Sequence, residues 1–128
     1  MIHRFSLRVY YEDTDLAGVV YYANYLKFIE RARSDWVRSL GIDQRRMRQE
    51  GLVFAVRRVE ADYLAPARFD DELVVETHSE RGSGVRLVML QKVKRGDTVL
   101  FAARVTIICM TPDGVPARLP AAIRKLAQ

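Results

Sequence analysis

Apolar and polar positions alternate along this chain with two different periods, and the change of period marks its elements. From His3 to Tyr11, Phe5, Leu7, Val9 and Tyr11 fall on one side and Ser6, Arg8 and Tyr10 on the other. That is the period of a strand with one buried face. The period then lengthens: Tyr25, Phe28, Ile29, Ala32, Trp36 and Leu40 recur at steps of three and four, which aligns them on one face of a helix. Gly41 follows, suited to the left-handed residue that ends a helix. Asn24 is a candidate cap, with a start one turn earlier, near Tyr22, as the alternative. A short polar helix is expected over 44–50.

The remainder reads as strands. Val59, Ala61 and Tyr63 alternate with Arg58, Glu60 and Asp62, and Leu73, Val75 and Thr77 with Val74, Glu76 and His78. Val85, Leu87 and Met89 begin another strand, and 100–110 is a last, strongly apolar one. Arg81-Gly82-Ser83-Gly84 and Arg95-Gly96-Asp97 are hairpin turn signals. A strand, a long helix and then hairpin-linked strands predict an α+β domain with an antiparallel sheet. The helix has an apolar stripe to cover, and a sheet wrapped round a central helix covers it.

Composition narrows the picture. The 128 residues suffice for one domain, 1–128, with its own core, and 49% hydrophobic with 29% charged residues is ordinary for a soluble fold. No long apolar run follows a basic N-terminal head, so neither a signal peptide nor an integral membrane helix is expected. Cys109 is the single cysteine, set among Ile107, Ile108 and Met110, which predicts a buried core thiol. These features point to the cytoplasm. The net charge of +5 permits anionic partners, but the basic residues are spread along the chain among acidic ones, so no nucleic-acid surface is expected. A few of them could form a phosphate-binding rim.

The inventory of reactive side chains is short. A serine–histidine–acid triad needs a positioned imidazole. The two histidines, His3 and His78, accompany no nucleophile-elbow motif, and His78 falls on a polar strand face. Clustered Cys or His for zinc is absent, so no metal site and no cofactor are expected. No glycine-rich phosphate loop follows a strand. What remains is the stretch from Tyr11 through Glu12-Asp13-Thr14-Asp15 and Gly18 to Tyr25, which sets carboxylates and a glycine turn just before a helix N-terminus. Thioesters suit such a device. Their carbonyl is electrophilic and their thiolate leaves readily, so one carboxylate, as nucleophile or general base, can suffice. The helix start supplies N–H donors for the developing oxyanion. By spacing alone, Asp13 and Asp15 read more readily as turn residues than as catalytic ones. A divalent-cation reading lacks the further oxygen ligands of a calcium loop.

The same residues carry a resemblance. The run Tyr10-Tyr11-Glu12-Asp13-Thr14-Asp15, then Gly18-Val19-Val20-Tyr21, Ala23 and Tyr25, resembles the signature of the 4-hydroxybenzoyl-CoA thioesterase-like family. Glu30-Arg31-Ala32-Arg33 and Tyr63-Leu64-Ala65-Pro66-Ala67-Arg68-Phe69-Asp70-Asp71 resemble its Tol–Pal-associated acyl-CoA thioesterase branch. The resemblance spans nearly the whole chain and implies a hotdog fold, homodimers that pair into tetramers, and active sites at the dimer interface. It implies hydrolysis of a short-chain or aromatic acyl-CoA, coenzyme A being part of the substrate. Asp15, not Asp13, matches the catalytic aspartate, and the backbone N–H of Tyr22 matches the oxyanion donor. Many members of the branch have histidine where Tyr22 stands, whereas the 4-hydroxybenzoyl-CoA type has tyrosine, so an aromatic or bulkier acyl group comes into range. Gly18, Val19, Tyr25 and Glu30 are the expected substrate-side positions, and Arg57 and Arg58 are candidates for the CoA phosphates. For Glu30 the alternative is an exposed helix charge facing Arg33 or Ser34, and for the two arginines it is a solvated strand start. Two other functions stay open: a hotdog module that binds acyl-CoA without turnover, and a hydratase, whose chemistry usually needs a histidine base.

Overall fold

The computed structural model describes residues 1–126 and, within them, every side chain except that of Arg81. In chain order the elements are β1 (His3–Arg8), one 3₁₀ turn (Tyr11–Asp13), α1 (Asn24–Ser39), α2 (Gln44–Gln49), β2 (Val53–Tyr63), β3 (Glu72–Gly82), β4 (Arg86–Arg95), β5 (Thr98–Met110) and α3 (Ala121–Leu126). The strands form one sheet in the order β1-β3-β4-β5-β2, with every neighbouring pair antiparallel. Helix α1 lies against β3, β1 and β4. This is the α+β arrangement that the two periods predict.

The periodicity works as the geometry of each element requires. Along α1, Tyr25, Phe28, Ile29, Ala32, Trp36 and Val37 are buried, and Leu40 is half-buried against the core. The helix ends where Gly41 takes φ +81°, a conformation that costs glycine nothing. Leu73, Val75 and Thr77 of β3 are buried, as are Leu87, Met89 and Val93 of β4 and Leu100, Phe101, Val105 and Cys109 of β5. Thr77 and Gln91 are polar yet buried. Gln91 Nε2 satisfies both its own donors, to the Ile29 carbonyl and to Thr77 Oγ1, each at 2.9 Å, so helix and sheet are joined by hydrogen bonds inside the apolar core.

Four expectations need correction. First, β1 ends at Arg8, not Tyr11. Val9 still binds the sheet side through Asp71 and Asp70, but the chain then turns, and Tyr11 is exposed and stacks flat on Phe69 at 4.3 Å. Apparent alternation ran past the strand because an exposed aromatic pair looks like a buried one in sequence. Second, Ala23 holds the cap position of α1, with no side-chain cap. The Asn24 amide instead donates to the Asp13 carbonyl at 2.9 Å. Third, β2 begins at Val53, before Arg58, where the alternation starts, and its register shifts between Val56 and Arg58. Arg57 is the extra residue of that bulge, which breaks the two-residue alternation. Fourth, α3 was not anticipated. It is short, and its evident signals are Pro120 before it and the fully buried pair Leu119 and Ile123. Among the described residues, no helix is long and apolar enough to cross a membrane.

Candidate functional site

The two loop carboxylates do different things. Asp13 Oδ2 accepts from the Tyr10 N–H at 2.8 Å, and the Asp13 carbonyl accepts from Tyr21 N–H at 2.8 Å and from the Asn24 amide. Asp13 therefore ties the 3₁₀ turn to the start of α1 and is a structural residue. Asp15 begins the next turn. Its N–H donates to the Val19 carbonyl and its own carbonyl accepts from Gly18 N–H, each at 2.9 Å. The Asp15 side chain spends one oxygen on the Ala17 N–H, at 2.9 Å; the other has no partner among the described residues, and the residue is exposed. Gly18 closes the turn at φ +78°, where a Cβ would be strained.

That turn is pinned beside the helix start. Thr14 pairs with Val20 and Val19 with Arg68, and Val20 N–H donates to the Ala67 carbonyl at 2.8 Å. Tyr22 and Ala23 form the turn that enters α1. The Tyr22 carbonyl accepts from the Tyr63 hydroxyl at 3.0 Å, while no described residue accepts its N–H. Here a cleft of about 260 Å³ opens, lined by Val19, Tyr22, Tyr25, Tyr63, Leu64 and Pro66 among others. Tyr25 is its buried floor, stacked on Phe101 at 5.0 Å with Tyr63 set edge-on to both rings. The Tyr25 oxygen accepts from Ala67 N–H at 3.1 Å. Burial, the larger influence, pushes the Tyr25 phenol up against the opposing effect of that bond, so the phenol stays neutral. Burial raises Tyr63 as well.

A charged brace holds the far wall. Arg95 Nη1 donates to the Pro66 carbonyl at 3.2 Å and to Asp71 Oδ2 at 2.8 Å, and Arg68 N–H donates to the same carboxylate at 2.8 Å. Desolvation works to raise the Asp71 carboxyl, but these donors outweigh it, and its pKa lies below the ordinary carboxylate value. Among the described residues no group of three or more His, Cys, Asp or Glu is placed to hold a metal ion.

Three of the expected positions, Val19, Tyr22 and Tyr25, line that cleft; Asp15 and Gly18 stand on the adjoining turn, outside its lining. Three lie elsewhere on the chain. Glu30 is exposed, with Ser34 Oγ donating to it at 3.3 Å, the helix-surface contact named as its alternative. It borders a second cavity, not the Tyr22 cleft. Arg57 and Arg58 are exposed on the edge strand β2, with Arg58 ion-paired to Glu60 at 3.0 Å. Reading the residues alone missed Tyr63, Ala67, Asp71 and Arg95, which reach the site from tens of residues away. His3 and Asp35 meet at 2.8 Å, but no described hydroxyl or thiol is bonded to that pair.

The chain as a whole has counterparts among known proteins. Residues 17–106 match the family model described as the thioesterase superfamily. The chain is 40% identical over 124 residues to the acyl-CoA thioester hydrolase YbgC of Escherichia coli O6:H1, covering 95% of this chain and 92% of that one. It is 39% identical to the acyl-CoA thioesterase YbgC of Haemophilus influenzae, covering 95% and 94%. The crystal structure of a probable thioesterase from Bartonella henselae superposes with a TM-score of 0.89 at 38% identity, over 94% of this chain and 100% of that one. The fold is accordingly the hotdog fold, and with the family model matched over most of its length this chain belongs to the thioesterase superfamily.

Proposed function

We propose that this chain hydrolyses acyl-CoA thioesters, with Asp15 as the nucleophile or general base and the Tyr22 N–H as the oxyanion donor. The observation that carries this reading is the division of labour in one short segment. Each carboxylate accepts one backbone N–H, but Asp13 is half-buried and its carbonyl also holds Tyr21 and Asn24, whereas Asp15 is exposed on the turn that leads to a helix start with an unpaired N–H. The relatives named acyl-CoA thioester hydrolase support the reaction class.

In the general-base route, Asp15 takes a proton from water as the oxygen attacks the carbonyl carbon. Charge develops on the carbonyl oxygen, where the Tyr22 N–H and the dipole of α1 stabilise it. The C–S bond then breaks, the electron pair leaves on sulfur, and the thiolate takes up a proton. In the nucleophilic route the carboxylate itself attacks, and water later cleaves the mixed anhydride. The aromatic lining of the cleft suits a short or aryl acyl group.

The catalytic unit in this reading is a homodimer, or a tetramer of paired dimers, formed in the cytoplasm. Strand β2 is an open edge bearing exposed Val56, Val59 and Tyr63, the kind of edge that pairs with another chain. Arg57 and Arg58 precede Glu60 and Asp62, so antiparallel pairing of two copies brings basic against acidic halves. Arg57, with no ion pair among the described residues, is the better placed of the two for a CoA phosphate. The test is release of free thiol from a panel of acyl- and aryl-CoA thioesters. Turnover abolished by Asp15→Asn supports the proposal; tight binding of acyl-CoA with no thiol release would make the chain a binding module instead.

A further inference from the structure

The turn that carries Asp15 is a short antiparallel ladder. Tyr21 N–H donates to the Asp13 carbonyl at 2.8 Å, Thr14 pairs with Val20, and Asp15 N–H donates to the Val19 carbonyl at 2.9 Å. These rungs keep one register, so Asp15 stands at the closed end and Tyr22 follows directly after the open rung. The Asp13 carbonyl has a second donor, the Asn24 amide nitrogen at 2.9 Å. A carbonyl oxygen has two lone pairs, and the Tyr21 and Asn24 bonds fill both. Tyr21 and Asn24 flank Tyr22, so the chain on either side of the proposed oxyanion donor is tied to a single oxygen just before the Asp15 turn.

Asn24 is out of its usual role. An asparagine cap ordinarily accepts from the N–H groups of the first helical turn. Here Ala23 holds the cap position with no side-chain cap, and Asn24, the first residue of α1, donates backwards to the loop instead. Its own N–H goes to the Tyr21 carbonyl at 2.8 Å. The helix thus goes without a side-chain cap, while Asn24 is held through backbone and side chain to the segment before Tyr22. Local exceptions of this kind are expected at functional sites. Asn24 is half-buried and does not line the Tyr22 cleft, so its influence on the reaction runs through the groups it places.

We propose that Asn24 is a positioning residue: its amide on the Asp13 carbonyl fixes the Tyr22 N–H relative to the Asp15 carboxylate. This rests on the hydrolysis and on the roles of Asp15 and Tyr22 given above. Without the amide, the Asp13 oxygen keeps the Tyr21 rung alone, and the start of α1 can pivot about it. Attack at the carbonyl carbon and stabilisation at its oxygen are required together, so a shift of about 1 Å between the two groups costs up to about a hundredfold in rate. Substrate binding in the cleft is left as it was.

Asn24→Ala and Asn24→Asp test this, with thiol release from the best acyl- or aryl-CoA substrate as the assay. Both remove the donor. In Asn24→Asp the new carboxylate lies in the first turn of α1, where the helix dipole favours it, so the melting midpoint should stay near that of the parent. Asn24→Ala lacks that compensation and should melt about 4 °C lower. In both, kcat should fall about tenfold or more with KM within about twofold of the parent. Should Asn24→Ala fail to fold, Asn24→Asp decides alone; failure of both would make the bond structural and overturn the proposal. It is overturned as well if a folded variant keeps kcat within about twofold of the parent, if KM rises by as much as kcat falls, or if only the less stable variant loses activity. A parent protein that releases no thiol from any member of the panel would refute the reaction itself, and the positioning role with it.

Discussion

The contrast between Asp13 and Asp15 is the sharpest test of the proposed site, because the roles proposed for the two carry opposite costs. Asp15→Asn preserves an acceptor for the Ala17 N–H, and the residue is exposed. Its stability should change by no more than about 0.5 kcal/mol. Its turnover should fall by on the order of 10² or more, the usual scale for a lost general base, which is about 2.7 kcal/mol or more of activation free energy. Asp13→Ala does the reverse. It deletes the acceptor of the Tyr10 N–H, a cap-like bond worth about 1 kcal/mol, so the melting temperature should drop by about 4 °C. Its carbonyl, which holds Tyr21 and Asn24, stays in place, so turnover should stay within about threefold of the parent. Thiol release from the best thioester in the panel gives the first quantity and a thermal melt the second. Equal loss of turnover from both variants, or an active Asp15→Asn, would refute the assignment of chemistry to Asp15.

Three further outcomes are expected. Tyr22→Phe should keep most of the rate, because the proposed donor is backbone, whereas a folded and dimeric Tyr22→Pro should lose on the order of 10²–10³ in turnover; a Phe variant as inactive as Asp15→Asn would mean that the hydroxyl does the chemistry. Tyr25→Phe strands the buried Ala67 N–H and should cost about 1–3 kcal/mol in denaturant unfolding, with a fall in kcat because Ala67 also holds Val20; an unchanged midpoint would show that Ala67 finds another acceptor. The depressed Asp71 pKa means that its contribution is complete above the unfolded-state value near 3.9 and is lost as pH falls below it toward the folded value. Unfolding midpoints followed through that acid range should therefore decline less in Asp71→Asn than in the parent, and parallel declines would remove Asp71 from the account.

The chain's local order was legible because burial in a helix or strand imposes a period on the sequence. The stripe from Tyr25 to Trp36, the buried face Leu73-Val75-Thr77 and the Gly41 stop all sit where spacing put them. The period failed where its cause was absent: at Tyr11, which is apolar but exposed, at the Arg57 bulge, and in the single short turn of α3. Spacing also could not choose between Asp13 and Asp15, since either suits a turn; the resemblance chose Asp15, and the hydrogen bonds show only that each carboxylate accepts one backbone N–H while the Asp13 carbonyl ties the turn to α1. Tertiary structure alone decided what surrounds them. Val20 meets Ala67, Tyr22 meets Tyr63, and Arg95 braces Asp71 through contacts between segments that no local period relates. The same holds for Asn24: its spacing offers a cap for the helix, but only the fold of the preceding turn brings the Asp13 carbonyl within reach of its amide.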